Sequence, residues 1–124
     1  MASNGPAKVV ASFFEALARG DVATARDCWA DNAVWHATGR SDLAGDYEPD
    51  AYLAMLGEWA ARYPRYDFRS SQVGEFDDLA VLFIESTGGM APGSASGLMV
   101  YRVTTGRISE GWAIPALGDG QYLF

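Results

Sequence analysis

His36 is the one histidine of this sequence, and an imidazole titrates near neutrality, so proton-transfer chemistry at neutral pH would begin there. It sits in the strand-like run Val34-Trp35-His36-Ala37-Thr38, sharing a face with Val34 and Thr38. Its two roles are a general acid/base or a ring satisfied structurally by one hydrogen bond. Glu85 ends an apolar run on the side of Val81 and Phe83, and Glu110 alternates with Ile108 and Trp112. A carboxylate so placed either emerges into solvent or points into a pocket, where burial raises its pKa. Cys28 lies on the apolar side of a helical stretch and reads as an inert, buried thiol rather than a nucleophile. One Cys with one His cannot build a zinc site, and neither a phosphate-cradling glycine motif nor a nucleophile elbow is present. The chemistry left open is acid–base work that needs no cofactor and no metal.

Aromatic side chains are the second resource. Trp35, Tyr47, Trp59, Tyr63, Tyr101 and Trp112 could wall a pocket for a flat or polycyclic ligand, or could simply pack a core. Trp59 and Tyr63, one helical turn apart, belong at the cavity mouth. Tyr47 or Tyr101 could donate a hydrogen bond to developing negative charge. Arg40 reads as half of a surface ion pair and Asp119 as a turn residue.

The elements that position these residues follow from periodicity. Residues 1–5 read as a loose tail, and Pro6 suits a first helical turn. Val9, Val10, Phe13, Phe14 and Leu17 then step at helical spacing, and Gly20 supplies the stop. Asp21 caps a short second helix through Trp29, and Asp31-Asn32 signals a turn. Residues 33–38 read as a strand, followed by a polar, glycine-containing stretch. Pro49 opens a third helix, with Tyr52, Leu53, Leu56, Trp59, Ala60 and Tyr63 on one stripe, and Pro64 ends it. Four strands follow, at about 66–76, 79–87, 95–105 and 107–115, with Thr105-Gly106 as a tight hairpin. Helices first and strands after them predict an α+β fold, with helices on one face of an antiparallel sheet. Both alternating faces of Leu79–Ile84 are apolar, as are those of Leu98–Tyr101, so these strands are expected to be covered on both sides. Helices cover one face, and a second copy of the chain is the economical cover for the other. The expectation is a homodimer through the sheet.

Bulk composition narrows the classes further. The chain has 124 residues, 9 basic and 16 acidic, for a net charge of −7, and one domain is the natural reading. With 49% hydrophobic and 20% charged residues it carries enough apolar material for a core. Lys8 is the only lysine, and Arg62, Arg65 and Arg69 read as stems laid over apolar surface, so nucleic acid is not an expected partner. No run suits a bilayer crossing, no secretory signal is visible, and a lone cysteine implies no oxidising compartment, so a cytoplasmic location is expected.

Two segments carry a family resemblance. The run FFEALARGDVATARDCWADNAVWHATGRSDLAGDY resembles the front half of SnoaL-like proteins in the nuclear transport factor 2-like superfamily, which includes ketosteroid isomerase-type enzymes. The ending GLMVYRVTTGRISEGW resembles the family's last hairpin. The resemblance implies a single SnoaL-like domain over residues 1–124, a cone-shaped cystatin-like fold. In it three helices pack on a strongly curved antiparallel sheet around an apolar pocket, usually in a dimer. Carried over by position, the isomerase base aspartate falls at His36, its oxyanion tyrosine at Phe13 and its second donor, a protonated aspartate, at Met99. Phe and Met donate nothing, and a lost oxyanion donor costs about 3–4 kcal/mol of transition-state stabilisation, which argues against steroid isomerisation by that route. The Asp-Arg-Asp trio of limonene-epoxide-hydrolase-type members finds no counterpart, and the late aspartate of SnoaL-type cyclases is not evident after Trp112. The expectation is a cyclase- or isomerase-class enzyme acting on a hydrophobic, polycyclic or polyketide-like small molecule. His36 would be its acid/base, with Tyr47, Tyr101 or Glu85 assisting, and Phe13, Trp35, Trp59, Tyr63, Met99 and Trp112 its walls. The alternative is a non-catalytic apolar-ligand-binding or dimerisation module of the same fold.

Overall fold

A computed structural model of the chain describes residues 5–38, 44–89 and 94–115. Of the tail expected at residues 1–5, residues 1–4 lie outside the described residues, as do Arg40 and Asp119, while Gly5 stands at the N-cap of the first helix. Helix α1 spans Pro6–Ala18, with Pro6 in the first turn, where its missing N–H costs nothing. Val10, Phe13 and Ala16 recur at helical spacing and are buried. Gly20, at φ +71°, turns the chain out of the helix in a conformation that glycine adopts without strain. Asp21 then caps α2 (Val22–Asp27) by accepting from the Thr24 backbone N–H at 3.1 Å. The second helix stops before Trp29, short of the expected end. The Cys28 carbonyl instead accepts from the Ile108 N–H at 2.7 Å, which draws Trp29 into strand β1 (Trp29–Ala37). Asp31 and Asn32, read as a turn, fall within that strand, at an irregularity between Trp29 and Val34.

A short strand, β2 (Gly45–Tyr47), pairs with β1 and was not anticipated, because three polar or glycine-flanked residues show no alternation. Helix α3 (Pro49–Arg62) follows, and then β3 (Asp67–Phe76), β4 (Leu79–Thr87), β5 (Ser94–Thr104) and β6 (Arg107–Pro115). The six strands form a curved, unclosed sheet in the order β2-β1-β6-β5-β4-β3. Pairing is antiparallel except between β1 and β6, which run parallel because the whole chain from β2 to β5 intervenes between them. A bulge at Ser109 separates the pairs Arg102↔Glu110 and Val103↔Ile108. That extra residue sends Ile108 inward and Glu110 outward, so the two do not share a face as the sequence alternation implied.

The three helices cover one face of the sheet. On it, Trp35 stacks on Tyr52 at 4.6 Å and on Tyr101 at 5.5 Å, and Trp29 meets Phe13 edge-on at 5.5 Å. Gly111 lies beneath this stack. A Cβ there would come within 2.7 Å of the Trp35 ring, so the close approach of ring to backbone requires glycine. The other face carries two apolar cross-strand rows. One runs Val81, Val100, Trp112, His36; the second runs Phe83, Leu98, Ile114. Phe83, Leu98 and Ile114 are 37%, 37% and 42% exposed, a contiguous apolar surface at the sheet centre. Among the described residues no helix is long and apolar enough to cross a membrane.

Candidate functional site

Among the described residues, the helix-covered face holds an apolar crevice between α1, α3 and the sheet, beside a wider groove between α1 and β3–β4 that Glu15, Ser70 and Gln72 make more polar. The crevice is walled by Phe14, Leu17, Tyr52, Leu56, Trp59, Tyr66, Phe68 and Met99, with a volume of about 50 Å³. Tyr52, Leu56 and Trp59 reach it because spacings of four and three residues keep them on one stripe of α3. None of the eight lining residues is a carboxylate, an imidazole or a cation. Its polar groups are the tyrosine hydroxyls and the Trp59 indole N–H. Tyr52 and Tyr101 share a hydrogen bond, and the Tyr101 hydroxyl donates to Met99 Sδ at 3.3 Å. Tyr66 hydrogen-bonds to Ser86. Burial pushes all three phenols up, Tyr66 to about 12, because a phenolate in an apolar wall lacks solvation. At neutral pH they are hydrogen-bonding groups and not bases.

The expected site residues divide between the two faces. Trp59 and Met99 line the crevice, and Tyr63, expected at the cavity mouth, packs on Trp59 at 4.4 Å and is not among the lining residues. Phe13, Trp35 and Tyr101 stand on the same side but are fully buried in the aromatic stack. Tyr47, opposite Trp35 in the β1–β2 register, packs against that core, half-buried. His36, Trp112 and Glu85 are on the opposite face. The reason is the period of two: Trp35 points into the core with Ala33 and Ala37, so His36 must point away with Val34. Glu85 is exposed at the end of β4, paired across from Arg69 and Ser96, and does not enter the pocket. The lining residues Phe14, Leu17, Tyr52, Leu56, Tyr66 and Phe68 were not singled out as site residues from sequence, although Phe14 and Leu17 stood on the recognised pattern of α1 and Tyr52 and Leu56 on that of α3. Cys28 is half-buried, and burial pushes its thiol up, which fits the inert reading.

On the outer face His36 sits in a charged cluster of its own. Nδ1 lies 2.7 Å from Asp46 Oδ1, and Nε2 lies 2.7 Å from Glu110 Oε2. The ring stacks on Trp112 at 5.6 Å, and the Arg102 guanidinium lies over the same Trp112 ring, 5.7 Å from its centroid. Each ring nitrogen faces a carboxylate oxygen, an acceptor when ionised, so the geometry favours the ring that donates from both nitrogens, the imidazolium. The Asp46 hydrogen bond, seconded by that to Glu110, raises the His36 pKa against the opposing effect of partial burial. A ring holding its proton this way, on the face away from the crevice, cannot serve as general base for a molecule bound there. No group of three or more His, Cys, Asp and Glu side chains among the described residues could hold a metal ion.

These features agree with what the chain resembles. The SnoaL-like domain matches residues 10–111. No curated protein is a significant match. Among solved structures, a protein of unknown function with a cystatin-like fold from Xanthomonas campestris shares 20% identity over 94% of each chain, with a TM-score of 0.78. An NTF2-like protein from Burkholderia thailandensis E264 shares 19% identity over 90% of this chain and 91% of its own, with a TM-score of 0.77. A loop-truncation variant of IdmH shares 26% identity over 89% of this chain and 91% of its own, with a TM-score of 0.74. Wild-type IdmH, a candidate polyketide cyclase from Streptomyces antibioticus, aligns at 24% identity over the same shares, with a TM-score of 0.73. With a SnoaL-like profile over most of its length and this helix-covered, curved sheet, the chain belongs to the SnoaL-like family of the NTF2-like, cystatin-like fold.

Proposed function

We propose that this chain binds a small, neutral, apolar molecule bearing an acceptor oxygen, in the crevice between α1, α3 and the sheet, and does so as a homodimer. The observation that carries this reading is the lining itself: eight apolar or aromatic side chains, with tyrosine hydroxyls as the polar handles and no charge. Such a wall rejects an ion, whose desolvation nothing there offsets, and accepts a carbonyl or ether that takes a hydrogen bond. At about 50 Å³ the crevice holds only a fragment, so a ring-containing ligand requires Leu56 and Trp59 to swing aside on α3. The dimer reading rests on the apolar rows of the outer face, which the helices leave uncovered.

The likeness to the IdmH variant favours a second reading, a proton-transfer step of the cyclase or isomerase class on such a ligand. In that reading Tyr52, which lines the crevice and is held by Tyr101 behind it, would donate to a developing oxyanion, and His36, on the far face, would take no direct part. One probe set separates these readings. 1-Tetralone, a neutral ketone, is expected to raise the melting temperature by about 5 °C at ten times its dissociation constant. The carboxylate 2-naphthoate is expected to leave it unchanged, and Leu56→Trp, which fills the crevice, to abolish the tetralone effect. No stabilisation by tetralone overturns the binding reading. Accelerated deuterium exchange at the tetralone carbon next to the carbonyl, lost in Tyr52→Phe, would establish the catalytic one.

A further inference from the structure

The outer face carries one feature that the ligand crevice does not use: a histidine held between two acids, in the apolar row where a second copy would pack. We infer that pairing of two copies through this face is gated by the proton on His36. The inference rests on the dimer reading above and adds its regulation. His36 is flanked by Asp46 on β2 and Glu110 on β6. Glu110 also meets Arg102 of β5 at 3.4 Å, and Arg102 meets Asp78, in the β3–β4 turn, at 3.3 Å. On its own strand the ring's face-mate is the apolar Val34, and the nearest acid toward the strand's start, Asp31, is taken by Arg26. From β4 the outward residues of the same rows are Leu79 and Val81, and Glu85 lies beyond them, across from Arg69. The helices pack on the other face.

With the proton in place, the cluster holds two cations, His36 and Arg102, against three anions, Asp46, Glu110 and Asp78. One negative charge is left over, a tolerable excess at the rim of an apolar contact. Without the proton two are left on each copy, and docking brings both sets of excess charge into one contact. The cost is compounded because every copy already carries a net charge of −7. Deprotonation also leaves one ring nitrogen with its lone pair against a carboxylate, so that the second copy would desolvate an unpartnered acceptor. The second copy is the occupant this face fits: its apolar rows pack on themselves about a two-fold axis, and its near-balanced charge lets an otherwise acidic chain approach its own kind.

The chain makes the test clean. His36 is its only histidine, and the carboxylates are already ionised at pH 6. Burial pushes the Cys28 thiol up, away from this range. Between pH 6 and pH 9, His36 is therefore the side chain whose charge changes; the α-amino group also titrates in this window, and it is still present in His36→Gln, which serves as its control. Sedimentation equilibrium of the full chain at constant ionic strength is expected to show the dimer dissociation constant rising by about tenfold or more between these pH values. That corresponds to pairing raising the ring's pKa by half a unit or more in each copy. The midpoint should coincide with the titration of the His36 ring protons, followed by NMR on the same unsubstituted protein. In His36→Gln the dissociation constant should no longer depend on pH. Should that variant fail to fold, the comparison of the two midpoints in the unsubstituted protein still decides. A dissociation constant equal at pH 6 and pH 9, or changing with a midpoint away from that of the ring, overturns the gating and leaves the dimer standing. A monomer at both pH values, up to millimolar protein, overturns the dimer and the gating together.

Discussion

Two carboxylates on one imidazole make the charge of His36 a contribution to the stability of each single copy, quite apart from association. The folded pKa is raised above the ordinary 6.5 by the Asp46 and Glu110 hydrogen bonds. A raised value means that the folded state holds the proton more tightly than the unfolded chain does. The stabilisation is therefore fully present below pH 6.5, while the acids remain ionised, and is lost as pH rises through the folded value. His36→Gln should lower the unfolding free energy by about 1 kcal/mol at pH 6, since Asp46 is largely exposed and the solvent screens it. The loss should shrink at pH 9 relative to pH 6, because the stabilisation falls as pH rises through the folded value. Urea denaturation of both proteins at the two pH values, at a concentration where they are monomeric, measures this difference; an equal loss at both would contradict the imidazolium assignment. The chemistry of His36 was legible in the sequence, and its direction was also readable. Ala33, Trp35 and Ala37 form the apolar alternate of β1, and the largest of them, Trp35, claims the core. What the sequence did not show was Asp46, which comes within reach only because the short β2 pairs with β1.

Elements tell a similar story one level up. The spans of α3, β4 and β6 agree with their apolar patterns to within a residue, because proline, glycine and strict alternation punctuate them. The pattern failed where a long-range contact decided the local state: the parallel β1–β6 pairing turned Trp29 from helix to strand, and the Ser109 bulge reversed Ile108 relative to Glu110. Neither has a local signature. The lining of the crevice was only partly visible for the same reason, since Phe14 and Phe68 meet at 5.8 Å across elements far apart in the chain. Gly111 shows how tightly the sheet and the aromatic stack are fitted. A methyl group at this position meets Trp35 at 2.7 Å and Tyr101 at 3.2 Å, so Gly111→Ala must displace a ring that is stacked on both sides. Overpacking of this kind is expected to cost about 1–3 kcal/mol. It should also alter the near-ultraviolet circular dichroism of the tryptophans, whereas an unchanged melting temperature would mean that the stack is loose.

For the whole molecule, the proposed ligand crevice and the proposed dimer contact lie on opposite faces of one sheet, and a single side chain can test whether they act separately. Leu98 stands at the centre of the outer face, between Phe83 of β4 and Ile114 of β6, and is 37% exposed. It touches neither the crevice lining nor the aromatic stack. A charge placed there costs little in a lone copy, because a long arginine can lay its stem along the sheet and keep its head in water. In a two-fold dimer the same charge is carried into an apolar contact twice, near its own symmetry mate, without an acid beside it. Leu98→Arg is therefore expected to raise the dimer dissociation constant by about a hundredfold or more, the scale of losing a central interface residue. The melting temperature of the monomer should shift by no more than about 3 °C, as for a surface substitution. Tetralone stabilisation should persist, since the crevice opens on the other side of the sheet. A variant that remains dimeric would show that copies associate elsewhere on the molecule. A monomeric variant that no longer responds to the ketone would show that the crevice depends on the second copy, and that the two faces do not act independently.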